Sequence, residues 1–412
     1  MPTRQTRTLV SRLVNTRFLF ALLVSCSPVA VLTAQTVAKT APAVEWTPLV
    51  EFNGDLFPAY VLATSTLESW EGTPRMVDSL RSAAHEIYVG DILGFVGASV
   101  TLPDSGHVKV EVEAPAIAEG TSEIDADIGP NETAEMFPRI LYSYETLAAV
   151  TQPKAVNALV RVSVNGKVVG QKAIVIRMRS ANDIPLRVRM RDGSWLDQSW
   201  MFAAMVNENS PVIDQILQRA LQVGAIRSFD GYQGPAAGVH RQVYAIWDVF
   251  QRLGFRYSSV TTPSALGSGA RSQSVRSPEE TVRATQANCV DGTVLFASVL
   301  RKIGIDPILV LKPGHMYLGY YLDAQHKDKS FLETTLLGSV DLNKYAEDGT
   351  VLGAVATQLG SSRNQVSWKT FVYANQVAID DWNNDTRLKL GTPGYEAIDV
   401  AQQRAKGIMP VK

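Results

Sequence analysis

The residues that could do covalent chemistry lie in one stretch, 277–334. Cys289 heads an apolar run at 290–303 that reads as a helix. Pro313-Gly314-His315 opens a strand just after a buried-looking strand at 308–311, and Phe331-Leu332-Glu333 belongs to a third. A thiol at a helix start, an imidazole on a strand and a carboxylate on the next strand make a nucleophile, its base and the group that orients the base. The chemistry of such a set is attack on a carbonyl carbon.

Each position has a physical reason. At a helix start, unpaired N–H groups and the helix dipole favour the thiolate, the nucleophilic form of cysteine. The opposing reading, a small apolar residue in the core, is the commoner fate of a cysteine. Met316, Leu318, Tyr320 and Leu322 share one face of the histidine strand, so His315 points to the other, where it could act as general base. A turn at 323–325 sets His315 across from Glu333. The backbone N–H of Cys289 is one oxyanion donor, with Gln286 and Asn288 as side-chain candidates. Asp291 suits the helix N-terminus better than the reaction.

Other elements must deliver these groups. Ser277-Pro278-Glu279-Glu280 fits a capping box and starts a short helix leading to Cys289. Ser210-Pro211 begins a helix with the stripe Val212, Ile213, Ile216, Leu217, Ala220 and Leu221, which stops near Gly224. A second helix, 240–253, buries Val243, Ile246, Trp247 and Phe250 and ends at Gly254. Residues 258–276 are rich in Ser, Thr and Gly and lack a period, as in a lid or a disordered insertion, and 261–273 could contribute to a substrate cleft.

With these residues in view, Asn288-Cys289-Val290-Asp291-Gly292-Thr293-Val294-Leu295-Phe296-Ala297-Ser298-Val299-Leu300-Arg301-Lys302-Ile303-Gly304-Ile305 resembles the transglutaminase-like superfamily. Its members place the nucleophilic cysteine at the start of a helix ending in a Leu-Arg-x-x-Gly-Ile phrase. His315 matches the family's histidine. Phe331-Leu332-Glu333-Thr334-Thr335 looks like its strand ending in Asp-x-Thr, with Glu333 one methylene longer than the usual Asp. The resemblance covers about 275–336 with specific motifs and 195–336 more loosely. It implies a papain-like α+β core carrying a Cys289-His315-Glu333 triad.

The bulk numbers exclude other classes. The chain has 412 residues, 46% of them hydrophobic and 19% charged, with a net charge of -1. That length holds two domains and a leader, and that charge gives no footprint for nucleic acid. The five histidines are scattered and Cys289 has no partner at ligand spacing, so neither a metal nor a cofactor is expected. Gly267-Ser268-Gly269 lacks the strand–loop–helix context of a nucleotide site.

Residues 1–34 read as a signal peptide: Arg4, Arg7, Arg12 and Arg17 precede an apolar run, 18–24, too short and broken to span a membrane. Cleavage after Ala34 competes with a lipobox at 23–26, in which Cys26 would be lipidated. Either way the chain is exported, to the periplasm or beyond, with no strong membrane association unless Cys26 carries lipid. Residues 35–45 read as a linker.

Residues 46–183 alternate as strands do. His107-Val108-Lys109-Val110-Glu111-Val112-Glu113 is one strand, and Asn165-Gly166 joins two more, 158–164 and 167–178, as a hairpin. Residues 65–82 and 132–149 fit short helices or edge loops. The pattern suggests an all-β immunoglobulin-like sandwich; His85 and His107 read as ordinary surface or half-buried residues. On that resemblance, residues 190–412 are expected to form a transglutaminase-like domain with a helical C-terminal extension at 366–382 and 395–407. The expected function is that of an exported thiol enzyme, a cysteine peptidase, amidase or acyl transferase acting on peptide or protein substrates, cell-wall peptide among them. The alternative is a catalytically silent envelope binding or assembly module.

Overall fold

The computed structural model describes residues 43–67, 86–91, 95–189, 193–259, 269–338 and 350–411. The leader with Cys26 and Ala34, most of the linker, His85 and the middle of the 258–276 segment lie outside the described residues. The protein is a mixed α/β chain with several separate sheets. Among the described residues no helix is long and apolar enough to cross a membrane.

The first half is built from two sheets. One orders Asp55–Leu56, Lys167–Met178, Lys154–Val164, Gly106–Glu113 and Thr121–Ile128; the other orders Glu45–Val50, Val96–Thr101, Thr133–Phe137 and Glu86–Gly90. Period-two burial is plain in Gly106–Glu113, where Val108, Val110 and Val112 go in and Lys109 and Glu111 stay nearer water. Asn165 and Gly166 both take positive φ, 49° and 76°, as the tight hairpin turn demands. The 132–149 segment resolves into the strand Thr133–Phe137 and the helix Tyr144–Ala148.

Residues 183–189, at the expected junction, form the strand Asp183–Arg189 and pair with Trp195–Asp197 and Ala270–Ser274. The 258–276 segment is therefore not all irregular: Ala270–Ser274 lacks apolar alternation, and its partner strand, distant in sequence, makes it a strand. Residues from both halves enter one apolar core within the compact unit Ala43–Lys412.

In the second half an antiparallel sheet orders Lys329–Leu332, His315–Tyr321, Pro307–Lys312 and Glu396–Asp399. The last strand corrects the helical expectation for 395–407: Glu396-Ala397-Ile398-Asp399 alternates and completes the sheet, and only Val400–Ala405 is helical. The helix Cys289–Lys302 packs against this sheet, in one apolar cluster with Met316, Leu318 and Tyr320. The opposite face is covered too. There Ile308, Val310, Tyr317, Tyr321 and Phe331 cluster with Ala378 and Trp382 from the helix Gln365–Asp381 and the turn after it.

Helix boundaries follow local chemistry. Pro211–Val223 stops at Gly224, φ 80°, and buries Ile213, Ile216 and Ala220, whereas Leu221 of the expected stripe stays 41% exposed. Ser210 does not cap with its side chain; its hydroxyl donates to Glu279 instead. Ala236–Arg252 begins a turn earlier than its apolar stripe suggested.

Candidate active site

The approach to the nucleophile is built stepwise. Ser277 caps the helix Pro278–Ala284: its hydroxyl accepts from Glu280 N–H at 3.2 Å, and Glu280 accepts from Ser277 N–H at 3.0 Å. The helix ends at Thr285 with φ 49°, a left-handed conformation costly for a β-branched residue. That reversal sends the chain into the two-residue strand Gln286–Ala287, which runs parallel to Arg256–Tyr257. Asn288 then caps the nucleophile helix, its Oδ1 accepting from Val290 N–H at 2.9 Å and Asp291 N–H at 2.8 Å. Cys289 follows, half-buried and a free thiol.

Across from it, Pro313-Gly314 makes a tight turn with Gly314 at φ 75°, so that His315 is the first residue of its strand. His315 Nε2–H donates to Glu333 Oε2 at 2.7 Å. Cys289 is the other group that acts on this ring. Those two groups, Cys289 first and Glu333 second, push the imidazole up to about 10 against the opposing effect of burial. Imidazolium is thus the favoured form near neutrality.

Glu333 is 7% exposed. Its second oxygen, Oε1, accepts from Thr335 N–H at 3.0 Å and Thr335 Oγ1–H at 2.6 Å. The extra methylene is used: Glu333 caps the short turn Thr334–Leu336 while still reaching the imidazole. The strand register differs from expectation. Leu318 pairs with Leu332 and Gly319 with Phe331, and continuing that ladder sets Tyr317, not His315, beside Glu333. Tyr317 and His315 lie on the same face, so the displacement does not separate His315 from Glu333.

The oxyanion candidates part company. Gln286 has an exposed side chain, whereas Asn288 is buried with its carboxamide oxygen occupied by the helix it caps. Asn288 is therefore a structural residue on its oxygen side. The sequence reading missed Tyr257. It lies opposite Ala287, close to the turn after Glu333, and is 47% exposed. Burial and then the charges at Cys289 and Glu333 push its hydroxyl above the ordinary range. Its signal was an aromatic residue just before the Ser/Thr/Gly-rich segment. Asp291 does help at the helix start, yet its carboxylate also binds Arg276, whose backbone N–H donates to Oδ1 at 3.0 Å.

Comparison of the chain with protein-family models, with curated proteins and with solved structures found no match.

Proposed function

We propose that this chain is an exported transglutaminase-like thiol enzyme that acts on amide bonds of peptide or protein substrates through Cys289, His315 and Glu333. On this reading the second half is a papain-like α+β core and the first half an immunoglobulin-like accessory region. The observation that carries it is the pairing of His315 with a buried carboxylate at 2.7 Å, on an imidazole whose strongest electrostatic influence is the half-buried thiol at the start of the facing helix. A structural cysteine has no need of a charged imidazole, nor a structural histidine of a carboxylate fixed by Thr335.

The chemistry follows from the geometry. Cys289 Sγ, as thiolate, bonds to the amide carbon, and the carbonyl π electrons move onto oxygen. Collapse of this tetrahedral species breaks the C–N bond, and the leaving amine takes the proton from His315 Nδ1. Water or a primary amine then attacks the thioester and gives its proton to the imidazole. Release of the thiolate restores the ion pair. Water yields hydrolysis and an amine yields acyl transfer. Glu333 keeps the ring oriented throughout and offsets its charge.

The test is thiol reactivity. Cys289 should react with iodoacetamide at pH 6 faster than a free thiol, and His315→Ala should slow it by about 10- to 100-fold. Equal rates for wild type, variant and free thiol would sink the proposal.

A further inference from the structure

Asp291 carries more structure than a helix start requires. It is 1% exposed, and burial, its largest influence, pushes its carboxyl above the usual carboxylate range while Arg276 opposes that. Oδ1 accepts the Arg276 backbone N–H at 3.0 Å, and Oδ2 lies 3.6 Å from the guanidinium. The same guanidinium donates to the Gln286 carbonyl at 3.1 Å. One buried carboxylate therefore fixes an arginine at its backbone and its side chain, and the arginine grips the strand that enters the nucleophile turn. That strand needs a grip. It is two residues long and follows a strained Thr285, and its carbonyl at Gln286 lies beside an exposed carboxamide.

We infer that Asp291 and Arg276 are positioning residues that hold Gln286 so that its carboxamide N–H, with the backbone N–H of Cys289, stabilises the oxyanion formed in acylation. The inference rests on the proposed thiol chemistry. Asp291 and Arg276 touch no reacting atom; they act through Gln286. Loss of the grip lets the strand drift, and an oxyanion donor displaced by about 1 Å loses most of its effect.

Two probes separate this role from general structural support. Alkylation by iodoacetamide displaces iodide at a saturated carbon and forms no oxyanion. Acylation by p-nitrophenyl acetate does form one. Gln286→Ala and Arg276→Ala should each slow Cys289 acylation about 10- to 100-fold while alkylation at pH 6 stays within about twofold of wild type. The double variant should be no slower than the worse single one, because both changes remove one device. Asp291→Asn, which keeps an acceptor for the Arg276 N–H but not the charge, should fall between. Acylation unchanged in Arg276→Ala overturns the inference, as do losses that multiply in the double variant. Parallel loss of alkylation and acylation overturns it too, marking a merely structural pair. Failure of the thiol reading is distinguishable: wild-type Cys289 would then alkylate no faster than a free thiol, and the inference would fall with it.

Discussion

His315 sets the pH behaviour of the site. Its proton is held up to about 10 in the folded chain, against an ordinary 6.5, by Cys289 and then Glu333. A raised folded value contributes stability that is complete below 6.5 and is lost as pH rises towards 10. The stability difference between wild type and His315→Gln, from urea melts, should therefore shrink between pH 6.5 and 10 and stay level below 6.5. Glu333 offers a sharper test of geometry. Glu333→Asp shortens the arm that reaches both His315 and Thr335, and it should lower the acylation rate about 10-fold. A faster Asp variant would mean that the added methylene serves nothing. Glu333→Gln keeps the length but cannot balance the imidazolium, and it should cost more than the Asp change.

Elements deliver these residues through local rules that act at a distance. Removing the capping hydroxyl in Ser277→Ala should cost about 1 kcal/mol, measurable by chemical denaturation, because Glu280 N–H loses its acceptor at the start of the helix that leads to Cys289. That capping box was legible in the sequence, as were the cysteine at a helix start, the Pro-Gly turn before His315 and the Asn-Gly hairpin. Each depends on a few adjacent residues whose conformations are fixed by their own chemistry. What stayed illegible depended on partners far along the chain. Ala270–Ser274 has no strand pattern of its own and is one because Asp183–Arg189 pairs with it. Glu396–Asp399 is too short to stand out until Pro307–Lys312 lies beside it. The histidine–glutamate register depended on a turn length that one residue can change. Arg276 and Tyr257 gave no local motif, since their neighbours are set by segments that the fold brings beside them.

Over the whole molecule, the two halves share one core, and a buried polar chain ties its layers together. His240 Nδ1 lies 3.0 Å from Tyr320 Oη, and Asn375 Nδ2–H donates to Tyr320 Oη at 3.4 Å, Ser330 Oγ at 3.0 Å and Phe331 O at 2.6 Å. Asn375→Ala would strand these acceptors away from water and should cost about 2–3 kcal/mol. Burial lowers His240 to about 4, so its neutral form belongs to the fold. A depressed value contributes stability that is present above 6.5 and lost as pH falls through about 4. His240→Gln, with no proton to take up, should lose less stability than wild type over that interval in the same melts.

The 404–411 segment fastens the molecule from its far side. Thr66 Oγ1–H donates to the Gly407 carbonyl across 341 positions, Met409 N–H to Ala63 O, and Val411 N–H to Ala204 O, while Arg404 reaches the Ala203 carbonyl. All these partners leave the ribosome long before the residues that complete them. During synthesis the carbonyls of Ala63 and Ala204 remain open to water, and the apolar surface that Ile408 and Val411 later bury remains uncovered. The clasp joins residues up to 341 positions apart, so its formation carries the entropy cost of closing a very long loop, and these contacts slow folding more than the local ones do.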